Sequence, residues 1–142
     1  MPSNYKYYTG LTSQLPFCST PLRLDPYNNC AFSCSYCYAS SRQGFGRQSK
    51  LKISNPETLR SRLSRISEGI IKSSVDEFMG RKVPFQLGGM SDPFGPLEEK
   101  HGITFKMLMA LKDFKYPFLI STKSAMPALD KYLKVLIECD TI

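Results

Sequence analysis

The chain has 142 residues, of which 42% are hydrophobic, and this length and composition suit one globular domain with a single core. Its apolar runs are only a few residues long and are flanked by charges, so we expect no membrane span, no secretory signal and a cytoplasmic location. The formal net charge is +7, which is compatible with a polyanionic partner.

The predicted elements begin with an irregular leader over residues 1–20, which are polar and show no sustained periodicity. Residues 21–24 alternate and predict a first strand that ends at Asp25. The loop that follows, residues 25–38, contains three of the five cysteines. Loops at the carboxyl ends of parallel strands form the active sites of α/β proteins, so this loop is the first candidate site.

The spacing of Cys30, Cys34 and Cys37 suits an iron–sulfur cluster. Gaps of three and two residues let one loop bring three thiolates to a cube, and three protein ligands leave one of its four irons open. Zinc is the alternative, but it needs a fourth cysteine or histidine nearby, and His101 is the only histidine. Disulfides fit poorly, because the cysteine count is odd and the cysteines are clustered.

At these residues the chain resembles the radical S-adenosylmethionine enzymes, whose signature is C-x-x-x-C-x-aromatic-C, with Tyr36 at the aromatic position. The Asp-Pro-Tyr lead-in at 25–27 and Gly-Gly-Met-Ser-Asp-Pro-Phe at 88–94 are similar to the spore photoproduct lyase-like branch. The resemblance covers most of the chain from Leu22 onward. It implies a [4Fe–4S] cluster on the three cysteines, whose open iron binds S-adenosylmethionine for reductive cleavage to a 5'-deoxyadenosyl radical. It also implies an external electron donor of the flavodoxin or ferredoxin type.

A polar, basic segment over residues 39–82 follows the cysteine loop and ends in a helix. Asn55 predicts the N-cap, Pro56 predicts the first helical position, and apolar residues recur at helical spacing over 59–71. Residues 38–82 hold ten Lys or Arg against four acids. The excess predicts either a solvated helix surface or a nucleic-acid contact, for which the candidates are Arg42, Arg47, Lys50 and Lys52.

Residues 83–87 and 117–122 predict a second and a third strand, with a helix capped by Thr104 between them and another over residues 129–137. Three strand–helix units in succession predict an α/β fold with parallel strands. The resemblance implies the N-terminal half of a partial (βα)6 TIM-like barrel, so residues 21–142 are assigned to a truncated radical S-adenosylmethionine domain. We therefore expect the missing C-terminal half, or a second copy of this chain, as a partner.

Polar residues follow the second and third strands. The glycines at 88–89 let the backbone approach a ligand closely. The resemblance implies that S-adenosylmethionine is bound by Tyr36, Gly88, Gly89, Met90, Ser91, Asp92, Ser121, Thr122 and Lys123. Asp92 either faces the cofactor or only orders a turn, and residues 121–123 either contact the ligand or merely precede a helix cap at Ser124.

Two functions are consistent with these patterns. One is a radical S-adenosylmethionine enzyme, or its N-terminal half, acting on nucleic acid. The other is a non-catalytic iron–sulfur or nucleic-acid-binding module, or an inactive fragment.

Overall fold

The computed structural model of the chain describes residues 3–5, 8–11, 21–37 and 51–140, and these form an α/β fold. The strands are β1 (Ser3–Tyr5), β2 (Tyr8–Leu11), β3 (Leu22–Asp25), β4 (Lys52–Ser54), β5 (Phe85–Leu87) and β6 (Phe118–Ile120). The helices are α1 (Pro56–Ser67), α2 (Ser74–Gly80), α3 (Pro96–His101), α4 (Ile103–Asp113) and α5 (Asp130–Ile137), and a 3₁₀ turn spans Met126–Ala128.

The main sheet has the strand order β2-β3-β5-β6, in which β3, β5 and β6 run parallel. This confirms the predicted α/β class and the three parallel strands. At the start of β6, Pro117 O faces β5 and accepts the N–H of Phe85. The N–H of Phe118 donates to Asp140 O at 3.2 Å. The C=O of Pro117 and the N–H of Phe118 belong to one peptide group and point to opposite edges of β6, so Asp140 lies along the edge that β5 does not occupy.

The two faces of the sheet differ in chemistry. Leu22 and Leu24 of β3 are in register with Phe85 and Leu87 of β5, and all four are fully buried. They belong to one core cluster with residues of α1, α2, α4 and α5, so these helices cover this face. Side chains alternate along a strand, which places Arg23, Asp25 and Gln86 on the opposite face.

The expected irregular leader over residues 1–20 is corrected by two short strands. β2 pairs antiparallel with β3, and β1 pairs parallel with β4. Strands of three or four residues are too short to show a periodicity, and what fixes them is pairing with partners distant in sequence. The main sheet therefore carries an antiparallel strand that the sequence did not predict.

The first helix starts as predicted but ends earlier. The side chain of Asn55 accepts the N–H of Glu57, with Pro56 at the first helical position. The helix ends at Ser67, and Gly69 takes a left-handed φ of 83°. Ile70 and Ile71 therefore fall outside it and are exposed.

The later helices also differ from the prediction in their caps and faces. Gly102 takes the N-cap position of α4, while Thr104 lies inside the helix and is fully buried. In α5, Tyr132 and Val135 are buried and Leu136 is half-buried. Leu133 and Ile137 are exposed, as is Leu129 at the N-cap. The hydroxyl of Tyr132 donates to a buried carboxylate of α3, and this bond fixes which face of α5 turns inward.

None of the helices in the described ranges has the length and apolar character needed to cross a membrane.

Candidate active site

An open cavity of about 240 Å³ lies at the carboxyl ends of β3, β5 and β6. The cysteine loop contributes the three clustered cysteines, Tyr36 and Phe32 to its lining. The loop after β5 contributes residues 88–92, and the segment after β6 contributes residues 121–123. All residues predicted for the cluster and for S-adenosylmethionine therefore line one cavity, and Phe32 is the lining residue that the sequence did not predict.

The cysteine loop is tightly turned around its three half-buried thiols. Cys37 N donates to Cys34 O at 3.1 Å, and Ser33 takes a left-handed φ of 46°. Three thiols from one loop are the donor set that an iron–sulfur cluster with one open iron requires. Across residues 21–37 and 51–140, no three His, Cys, Asp or Glu side chains are gathered closely enough to hold a metal ion. The donor chemistry of the three cysteines fits such a cluster, and the loop would have to draw the three thiols together to bind it.

The fold itself requires Gly88, whereas Gly89 is closely packed against Arg23. Gly88 has a φ of 81°, and its N–H donates to Leu24 O at 2.9 Å. A Cβ at Gly88 would overlap Pro93 and would lie 2.7 Å from Ser91 O. A Cβ at Gly89 would lie 3.0 Å from Cβ and Cδ of Arg23. A substitution at Gly88 therefore strains the fold, and a substitution at Gly89 requires the Arg23 side chain to shift.

Asp92 fastens two loops together. Its Oδ1 accepts the N–H of Phe94 at 2.9 Å and the hydroxyl of Thr122 at 2.7 Å. Its Oδ2 accepts the N–H of Lys123 at 2.7 Å. Both carboxylate oxygens are thus engaged by the protein, which favours the loop-ordering role over direct contact with a cofactor.

Three further polar residues at or beside the cavity make contacts within the protein, namely Ser91, Lys123 and Ser124. The hydroxyl of Ser91 donates to Tyr27 O at 2.6 Å, which ties the loop after β5 to the cysteine loop. The ammonium of Lys123 lies 4.9 Å from the ring centre of Tyr36. Contact with Tyr36 raises the pKa of Lys123. The hydroxyl of Ser124 accepts the N–H of Met126 at 3.0 Å, at the start of the 3₁₀ turn. The N-cap of α5 is Leu129, so Ser124 does not cap that helix.

Asp25 is a site residue that the sequence did not single out. Its side chain is 1% exposed, and its Oδ1 accepts the N–H of Met90 at 2.8 Å. Burial raises the pKa of Asp25 to about 6, against the opposing effects of the Met90 N–H and the charge of Arg23. The sequence marked Asp25 only as the end of the first strand and the start of the Asp-Pro-Tyr lead-in, and no local signal could reveal a partner 65 residues away.

Glu98 is the second such residue, and it supports the cavity from the helix side. Its Oε2 accepts the hydroxyl of Tyr27 at 2.6 Å and the N–H of Thr104 at 2.8 Å. Its Oε1 accepts the hydroxyl of Tyr132 at 2.8 Å and the N–H of Phe105 at 3.0 Å. Burial and the Glu98 carboxylate raise the pKa of Tyr27 and of Tyr132 above their ordinary value. Glu98 therefore binds the cysteine loop, α4 and α5 to one buried centre.

The basic segment is largely engaged within the protein where it is described. Arg62 and Arg65 both pair with the buried Asp76, at 2.6 and 2.8 Å. Two exposed pairs, Arg60–Asp113 and Arg81–Glu77, occupy further cations. Lys52 lies half-buried in β4, where its N–H donates to Asn28 Oδ1. The other predicted nucleic-acid residues, Arg42, Arg47 and Lys50, lie outside the described residues.

No protein-family model, curated protein or solved structure matches the chain. The decisive feature is that the loops after three parallel strands, β3, β5 and β6, line the same cavity.

Proposed function

We propose that this chain is a radical S-adenosylmethionine enzyme, or the N-terminal half of one. Cys30, Cys34 and Cys37 would hold a [4Fe–4S] cluster whose fourth iron stays open for S-adenosylmethionine. The observation that carries the proposal is the common cavity: the cysteine loop, residues 88–92 and residues 121–123 line it together. A purely structural metal site has no need of the two further loops.

The residues that line the cavity would have separate roles in cofactor binding. When bound, the reduced cluster supplies the electron for cleavage of S-adenosylmethionine to a 5'-deoxyadenosyl radical. Residues 88–91 line the cavity beside the cysteine loop, and Asp92 holds that loop against the segment after β6. Tyr36 is 72% exposed, so its ring is available for stacking beside Lys123.

The faces and the open edge of the sheet support a proposal about the complete fold and its partners. Helices cover one sheet face, while the other carries Arg23, Asp25 and Gln86, as the inner face of a barrel would. Asp140 lies along the outer edge of β6, where a fourth parallel strand would pair. We therefore propose that the chain is the N-terminal half of a partial (βα)6 barrel, which a C-terminal half or a second copy of the chain completes. Its electron donor would be a flavodoxin or ferredoxin in the cytoplasm.

A second candidate is an iron–sulfur module that binds nucleic acid without catalysis. It is favoured by Phe32 and Tyr36, which are exposed at the cavity, and by the cation of Lys123 beside Tyr36, because nucleobases can stack on exposed aromatic rings. It is disfavoured by the arginines of α1, which are already paired with carboxylates. Binding to single-stranded DNA and to RNA at two salt concentrations tests it, since phosphate contacts weaken steeply with salt.

The decisive experiment for the first candidate is anaerobic reconstitution followed by iron and sulfide analysis. Alanine at Cys30, Cys34 or Cys37 should abolish the cluster, whereas the matched control Cys139→Ala should retain it, because that thiol donates to Val135 O at 3.2 Å in α5. Adding S-adenosylmethionine to the reduced protein should then change its electron paramagnetic resonance signal. A full cluster whose signal ignores S-adenosylmethionine would overturn the proposal and leave the cluster module.

A further inference from the structure

The carboxyl group of Asp25 occupies an unusual position for a charged group. It lies at the end of β3 with 1% exposure, and one oxygen accepts the N–H of Met90. The other oxygen, Oδ2, is buried and has no hydrogen-bond partner within the described residues. Buried polar oxygens are nearly always satisfied, so an unsatisfied one needs a reason other than packing. An apolar side chain would fill the same space without a desolvation cost.

The surroundings of Asp25 connect it to the cavity. Arg23 lies two residues earlier on the same face of β3, and its Cβ and Cδ are 3.0 Å from the position of a Cβ on Gly89. Strand β3 thus places a cation and an anion against the residues that follow Gly88. Among the described residues, Arg23 is the charged group that faces Asp25, while the loop itself presents the backbone amides of Gly89, Met90 and Ser91.

We propose that Asp25 is a positioning residue, whose ionised carboxylate holds the Met90 amide and so fixes residues 89–91 in the conformation that receives a cationic ligand. The inference rests on the proposed function, in which the ligand is S-adenosylmethionine with its amino and sulfonium charges. An ionised acceptor makes a hydrogen bond roughly twice as strong as a neutral one, so protonation of Asp25 loosens the loop. Because burial raises the pKa of Asp25 to about 6, this change falls within an accessible pH range.

The first test needs neither cluster nor cofactor. The amide resonance of Met90 should titrate with a midpoint near pH 6 in the unsubstituted chain. The titration should vanish in Asp25→Asn and persist in the control Asp113→Asn, which makes the same chemical change at an exposed ion pair. Alanine at Asp25, which removes the acceptor, should raise the hydrogen-exchange rate of the Met90 amide about tenfold. A Met90 resonance that does not titrate between pH 4 and pH 8 in the unsubstituted chain overturns the proposal, whether or not the variants fold.

The second test measures S-adenosylmethionine affinity in the reconstituted protein. If the ionised form is the one that binds, affinity should fall about tenfold between pH 7.5 and pH 5 in the unsubstituted chain and stay flat in Asp25→Asn. A Met90 amide that titrates while affinity is independent of pH also overturns the positioning role. Failure of S-adenosylmethionine to bind at any pH instead refutes the proposed function, and the Met90 titration still decides whether Asp25 holds the loop.

Discussion

Glutamine at Glu98 tests the buried centre that supports the cysteine loop. The substitution keeps the shape of the side chain but replaces one acceptor oxygen with an NH₂ group. Each oxygen of Glu98 accepts one tyrosine hydroxyl and one backbone N–H of α4. A hydroxyl can rotate to accept from the new amide, but a backbone N–H cannot. Whichever way the amide turns, one N–H in the first turn of α4 therefore loses its acceptor.

The expected loss in the free energy of unfolding follows from this one unsatisfied N–H group. A buried donor left unsatisfied costs about 1–3 kcal/mol, and the remaining bonds lose the strength that an ionised acceptor gives them. We expect Glu98→Gln to lower the free energy of unfolding by about 3 kcal/mol. Alanine should cost more, because it leaves two hydroxyls and two N–H groups without this acceptor and opens a cavity.

The assay is urea unfolding followed by circular dichroism, with Glu99→Gln as the matched control. Glu99 is the exposed neighbour of Glu98 on α3, and its substitution should change the free energy of unfolding by less than about 0.5 kcal/mol. If Glu98→Gln changes the free energy of unfolding by no more than Glu99→Gln does, the four hydrogen bonds of Glu98 do not stabilise the fold and the reasoning is refuted.

Two further substitutions address the site wall and the basic segment. Asparagine at Asp92 should weaken S-adenosylmethionine binding about tenfold in equilibrium dialysis, because an NH₂ group in place of one oxygen cannot serve the N–H groups of both loops; unchanged affinity would contradict this. Asparagine at Asp76 should lower the free energy of unfolding by about 2–3 kcal/mol at pH 7, because it leaves Arg62 and Arg65 without their anion. Burial opposes ionisation of Asp76, but hydrogen bonds from Arg65, Lys72 and Arg62 outweigh it and hold its pKa below the ordinary 3.8. The stability from this carboxylate is therefore present above pH 3.8 and lost as pH falls through the folded value. A difference between wild type and Asp76→Asn that stays constant from pH 7 to pH 2 would be inconsistent with this pairing.

Local signals in the sequence determined the start of α1, the three parallel strands and the position of the cysteine loop at a strand end. Asn55 and Pro56 specify a helix start within a few residues, so no distant partner is needed to recognise it. The apolar runs at β5 and β6 indicate buried strands for the same reason. That the loops of successive parallel strands meet at one edge follows from the topology alone.

Tertiary structure decided the features that depend on distant partners. The strands of the leader exist because β3 and β4 pair with them, and α5 presents Tyr132 inward because Glu98 accepts its hydroxyl. Asp25 meets Met90 across 65 residues, and Tyr27 meets Glu98 across 71. In its own sequence neighbourhood, each residue of these pairs has the pattern of an ordinary strand, helix or loop residue. A buried polar group gains its role only when folding removes water and leaves one acceptor within reach, and the order of residues along the chain does not encode that event locally.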